Sequence, residues 1–103
     1  MSSLSRPVLT IGQKQQWRDL TTTRSMNVTY TNSSLRTIVV GVRVANGVNA
    51  ARSITGYIDG ILVVSGGASY GGQADGITMI VPSGSTYLAS GDINLSKWAE
   101  LDE

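Results

Sequence analysis

The sequence predicts an all-β fold, an antiparallel β-sandwich of about seven to eight short strands, on three observations. Apolar and polar residues alternate in several runs, the period of a strand with one buried face. Clusters of Gly, Ser, Asn and Pro separate those runs at short intervals. Between two of the runs stands Asp59-Gly60, a dipeptide suited to a two-residue hairpin turn.

Residues 1–16 are polar and read as a lead-in arm, so the sandwich is expected over 17–103. The first alternating run sets Met26, Val28 and Tyr30 against Asn27, Thr29 and Thr31. Asn32-Ser33-Ser34 reads as a turn. The run 35–45 then places Ile38, Val40, Val42 and Val44 on one face, with Val39, Gly41 and Arg43 on the other. After a loop beginning at Asn46-Gly47, a strand over 53–58 puts Ile54, Gly56 and Ile58 together and Tyr57 opposite.

Asp59 and Gly60 both tolerate positive φ, so a type I′ turn is expected to join the two sides of a tight hairpin over 57–65. The stretch 65–73 is rich in glycine and reads as a flexible loop. A strand over 74–81 follows, closed by the turn Pro82-Ser83-Gly84-Ser85, and then a short strand over 86–90. In the tail, Leu95, Trp98 and Leu101 are spaced three apart, and Ser96 could cap a helical turn. A last strand over 93–95, extended onward to Leu101, is the preferred reading. Trp17 and Trp98 are expected to pack the first and last strands together, and Tyr30 to join the core. Ile77 or Met79 would complete that core. Val39, Ile61 and Val63 run at opposite parity to their neighbours and are candidates for a subunit contact.

Composition narrows the function. The chain has 103 residues and 10.9 kDa, room for one small domain. It contains neither Cys nor His, which excludes disulfides, thiolate catalysis, the Ser–His–Asp triad and nearly all zinc chemistry. Charged residues are 15% and the net charge is +1, a balance that argues against a nucleic-acid partner. No apolar run approaches the ~18 residues of a membrane helix, so membrane insertion is not expected. Pro7 and several amides stand where the apolar segment of a signal peptide would lie. Folding in a reducing cytoplasm is therefore expected.

The segment 67–71 matches the nucleophile-elbow spacing around Ser69, but no His exists to take the hydroxyl proton. No Lys follows Gly71-Gly72, so the loop is not a phosphate cradle. Asp59, Asp75 and Asp92 each adjoin a glycine and read as turn formers before acids. No catalytic residue, metal ligand or cofactor is assigned, and the chain is read as no enzyme. Candidate ligand-binding residues are Tyr57, Tyr70, Gln73, Asn46 and Asn49: aromatic platforms and amides in or beside loops.

Four features in order carry a resemblance: Trp17-Arg18-Asp19 before Tyr30-Thr31-Asn32, the hairpin Tyr57-Ile58-Asp59-Gly60, the turn Val81-Pro82-Ser83-Gly84-Ser85-Thr86-Tyr87, and Trp98 with Leu101 near the end. Together, over about residues 12–101, they resemble the C-terminal, distal-tip domain of tailed-bacteriophage tail fibres and tailspikes. The resemblance implies a homotrimer within a virion tail fibre, with residues 1–16 facing the parent fibre chain. It implies binding to a bacterial surface polysaccharide or outer-membrane receptor, or alternatively a trimerisation unit that touches no receptor. A small glycan-degrading enzyme is the third and least favoured reading.

Overall fold

The computed structural model describes residues 11–47, 51–68 and 71–102. Within them every regular element is a strand: β1 (Gln16–Asp19), β2 (Tyr30–Thr31), β3 (Ile38–Ala45), β4 (Arg52–Ile58), β5 (Ile61–Ala68), β6 (Ala74–Val81), β7 (Thr86–Gly91) and β8 (Asn94–Asp102). They form two four-stranded antiparallel sheets, ordered β1-β8-β3-β6 and β2-β7-β4-β5. The all-β class that the alternation predicts is the class observed.

One core joins the sheets. Ile38, Val40, Val42 and Val44 of β3 are buried, as their parity requires. Opposite them in the ladder stand Val81, Met79 and Ile77 of β6, and Trp98 of β8 faces Val42. The other sheet contributes Ile54, Tyr87 and Ala89. Removing these side chains from water is the main stabilising term available to so small a chain.

The hairpin forms as expected. Asp59 and Gly60 have φ of 54° and 80°, and Ile58 pairs with Ile61 across the turn. The Asp59 carboxylate also accepts from Ser85 Oγ at 2.8 Å and the Thr86 amide at 3.0 Å, tying the hairpin to β7. The Pro82 turn closes with the Ser85 amide donating to the Pro82 carbonyl at 3.1 Å.

Several expectations are corrected. Residues 65–68 belong to β5 rather than to a loop, with Ser65, Gly66, Gly67 and Ala68 paired to Thr55, Ile54, Ser53 and Arg52. Glycine serves close approach there: a Cβ on Gly66 would lie 2.8 Å from Asp75 Oδ2, and the Gly67 amide donates to that oxygen at 2.6 Å. Asp75 is accordingly a strand residue that links the edges of the two sheets, not a turn former. Ser69 lies outside the described residues.

The run 26–31 is strand only at Tyr30–Thr31. Asn27 has φ of 63°, and its side chain takes both the amide and the carbonyl of Gly91, each at 3.0 Å. That clamp replaces regular pairing until Tyr30. Met26 and Tyr30 still pack on the core, while Val28 is exposed. Likewise β3 begins at Ile38, not at Leu35, which is exposed.

The tail is one strand throughout. Arg43 faces Lys97 and Val44 faces Leu95, so Ser96 is an extra residue in β8. This bulge turns Leu95 and Trp98 toward the same core despite their spacing of three, which is why the sequence imitates a helix there. Finally, the first and last strands do pair, but not through two tryptophans. Trp17 is 59% exposed opposite Leu101, whereas Trp98 is fully buried in the core beside Val42 of β3.

Glycine 91 tests the close-packed geometry. A Cβ there would collide with the Ser53 carbonyl oxygen, while one on Gly41 would meet only the Ala99 oxygen at 3.9 Å. Gly91→Ala should lower stability by about 2–3 kcal/mol in urea denaturation, and Gly41→Ala should change it by about 0.5 kcal/mol or less.

Candidate functional site

Strand direction brings to one end of the fold the strand ends that bound three connections. The connections are residues 46–51 between β3 and β4, 69–73 between β5 and β6, and 92–93 between β7 and β8. Gln16 and Asp102 pair with each other at the opposite end. Asn46 and Gln73, both candidate binding residues, meet at the loop end. The buried Asn46 donates its amide to the Gln73 carbonyl at 2.8 Å and accepts from the Gly72 amide at 2.9 Å. These bonds continue the β3–β6 ladder past its last pair, Ala45 with Ala74. Arg52 and Asp92 flank the end as an ion pair at 2.9 Å. Asn49 and Tyr70 lie outside the described residues.

Tyr57 does not join them. It sits toward the far end of β4, facing Leu88 and Leu62 on its neighbours. There it borders a hollow of about 330 Å³ with Thr29, Gly60, Thr86 and Leu88. The sequence therefore groups residues that the fold divides between two ends. Of the candidate contact residues, Ile61 and Val63 are exposed on β5, and Val39 is half-buried.

Val39 belongs to a larger feature. Trp17 faces Leu101, Leu101 faces Val39, and Val39 faces Ile80, so one apolar row crosses all four strands of the first sheet. It lies on the outer face, since Ile38, Val40, Met79, Val81 and Glu100 on either side point into the core. Ile80 is 58% exposed. Beyond the row come Ala99 and Gly41, and then Arg43 opposite Lys97, with Lys97 Nζ 3.0 Å from Asp19. The Thr21 hydroxyl and amide, followed by Lys97, hold the Asp19 carboxyl down at about 2.

A third cluster has no counterpart among the sequence candidates. Glu100 is 1% exposed, and its Oε2 accepts from Tyr87 Oη at 2.8 Å, Trp98 Nε1 at 3.0 Å and Arg24 Nε at 3.1 Å. Tyr87 belongs to the opposite sheet, so the carboxylate bolts the layers together. Tyr30 packs edge-on against Trp98 with ring centres 5.8 Å apart, and the Arg24 guanidinium lies 4.6 Å from the centre of the Tyr30 ring. Burial, then the hydrogen bond to the carboxylate, pushes the Tyr87 hydroxyl far above its ordinary value. Burial pulls Arg24 down, but the Glu100 carboxylate outweighs it and raises the guanidinium above its usual range.

A cleft of about 190 Å³ adjoins this cluster, lined by Arg24, Glu100, Tyr87, Asp102, Ile38 and residues 31–34. Part of it was legible. With Trp98 inward, alternation points Glu100 inward as well. Arg24 carries no such signal, because it reaches the core from the connection between β1 and β2. Among the described residues, no group of three Asp or Glu side chains could hold a metal ion. A scan against protein-family models and a search of curated proteins found no match to the chain.

Tyr87 makes the bolt testable. Its folded value lies above the ordinary tyrosine value of about 10, so its contribution is complete below about pH 10 and is lost as pH rises beyond it. Urea denaturation should show stability falling above about pH 10. Tyr87→Phe should cost about 1.5–3 kcal/mol at neutral pH and flatten that alkaline decline.

Proposed function

We propose that the chain is a non-catalytic recognition domain at the tip of a tailed-phage fibre or tailspike. On this reading it is a β-sandwich that works as a homotrimer and grips a polysaccharide or outer-membrane receptor of a bacterial surface. One observation carries the proposal. The strand ends that bound three connections, two of them rich in amides and glycines by sequence, lie at one end, away from the paired Gln16 and Asp102. The chain enters β1 at Gln16 and leaves β8 at Asp102, both at the other end. Loops presented by a rigid β scaffold are a common way to build a variable binding surface. The resemblance in sequence points the same way.

A trimerisation role without receptor contact has separate support in the apolar row of Trp17, Leu101, Val39 and Ile80. An exposed row spanning a sheet is a surface suited to burial against another subunit. The two roles are compatible, and the loops discriminate between them.

Replacing residues 48–51 and 69–71 with unrelated sequence, while Asn46, Gly72 and Gln73 are kept, should abolish binding to host cells and purified surface glycan while leaving circular dichroism and Tm unchanged. Undiminished adhesion would overturn the receptor reading in favour of assembly. Independently, the chain should sediment as a trimer at micromolar concentration, and the double variant Val39→Lys, Ile80→Glu as a monomer. A monomeric parent chain would remove the trimer from the proposal.

A further inference from the structure

The cleft beside Glu100 has features that the structural bolt does not require. All three donors converge on Oε2, and Oε1 receives none of those bonds. Oε1 is not an orphan shut away from water: it keeps contact with solvent, so a hydroxyl can reach it without displacing any of the three donors. Since Glu100 also lines the cleft, Oε1 is the oxygen left to accept from a molecule bound there.

The opposite wall is rigid. Asn32 is buried, and its Nδ2 reaches the carbonyls of Arg36, Val81 and Pro82 at 2.8, 3.0 and 3.1 Å. Its Oδ1 accepts from the Ser34 amide at 3.1 Å and the Ser34 hydroxyl at 2.7 Å. Ser83 Oγ donates to the Ser34 carbonyl at 2.6 Å. Residues 31–34 are therefore held in place before any ligand arrives, which lowers the ordering cost of binding.

Charge selects the ligand. Arg24 pairs with Glu100 in the cleft, and Asp102 on its wall is paired with Arg18, which stands outside the lining. A cation would have to compete with two guanidinium groups, and an anion would face two carboxylates. A neutral hydroxyl donor needs only the acceptor on Oε1 and the hydroxyls of Thr31 and Ser33. The volume equals about six waters, room for one ring rather than a chain segment.

We propose that this cleft is a subsite for a single neutral sugar residue, with Glu100 Oε1 accepting from a ring hydroxyl and residues 31–34 as its wall. The proposal rests on the receptor reading only in taking that residue to be the end of a surface glycan. It names the ligand class and adds a contact distinct from the loop end.

The two indole N–H groups provide the assay. Trp98 Nε1 donates to the carboxylate of the site, whereas Trp17 is exposed on the outer face. The ¹⁵N-labelled chain would be titrated with methyl glycosides of glucose, galactose, mannose and N-acetylglucosamine, and separately with glucuronate and calcium chloride. At least one neutral glycoside should shift the Trp98 resonance saturably, with a Kd of about 1 mM, while Trp17 stays still.

Substituting Glu100 endangers the fold, so the exposed Ser33 is the residue to change. Ser33→Tyr, which crowds the mouth, should weaken binding by at least ~10-fold. The subsite is overturned if no neutral glycoside moves Trp98, if only glucuronate or calcium does, or if Ser33→Tyr leaves the shift unaltered. Cell adhesion of the loop-exchanged chain reports on the receptor reading alone. A Trp98 shift in a chain whose loops prove irrelevant would keep the subsite and discard that reading.

Discussion

A carboxylate inside a β core imposes the strictest condition on this molecule. Glu100 is paired with Arg24 and almost wholly buried, so each of its donors must stand where it does. Tyr87 fixes the second sheet over the first. Trp98 fixes the inward parity of β8. Arg24 fixes the connection between β1 and β2, which crosses from one sheet to the other and closes that side of the core with Leu20 and Met26. Two bonds pin the start of this connection to β8: Leu20 donates its amide to the Trp98 carbonyl at 2.8 Å, and Thr21 Oγ1 accepts from the Trp98 amide at 3.0 Å. An apolar residue of similar size at position 100 would fill the space without specifying any of these positions.

The opposite side of the fold meets the same demand with glycine. Asp75 projects from β6 toward β5 and accepts from the Gly67 amide at 2.6 Å and the Gly76 amide at 2.8 Å. Those donors hold its carboxyl below the usual range, Gly76 first and Gly67 second. Gly66 makes room for the carboxylate, and Gly56 makes room for Val64 and Met79. Cohesion without disulfides thus rests on close backbone approach at one edge and a buried ion pair at the other.

Three surfaces with different chemistry result. The loop end is rich in amides and glycines by sequence, the outer face of the first sheet carries an apolar row, and the Glu100 cleft is small and rigid, with its charges paired. A molecule that must join copies of itself and also recognise a neutral glycan would need such a separation, because apolar contacts suit the first task and fixed polar groups the second. The low charge of the chain is consistent with both. Little of its surface is committed to solvated ions.

Local sequence determined the β class, the inward set of β3, the place of Ile77 or Met79 in the core, and the Asp59-Gly60 hairpin. Each of these depends on residues close in sequence, whose side-chain period or φ preference acts locally. The strand extent of 65–68, the clamp of Asn27 on Gly91 and the bulge at Ser96 were decided by partners far along the chain. Tertiary structure also separated Tyr57 from Asn46 and Gln73, since strand direction assigns residues to ends and a linear reading does not. The Glu100 cluster marks the boundary most clearly. Parity next to Trp98 turns the carboxylate inward, but only the fold can bring Arg24 and Tyr87 to it, because a buried charge is tolerated solely where distant donors converge.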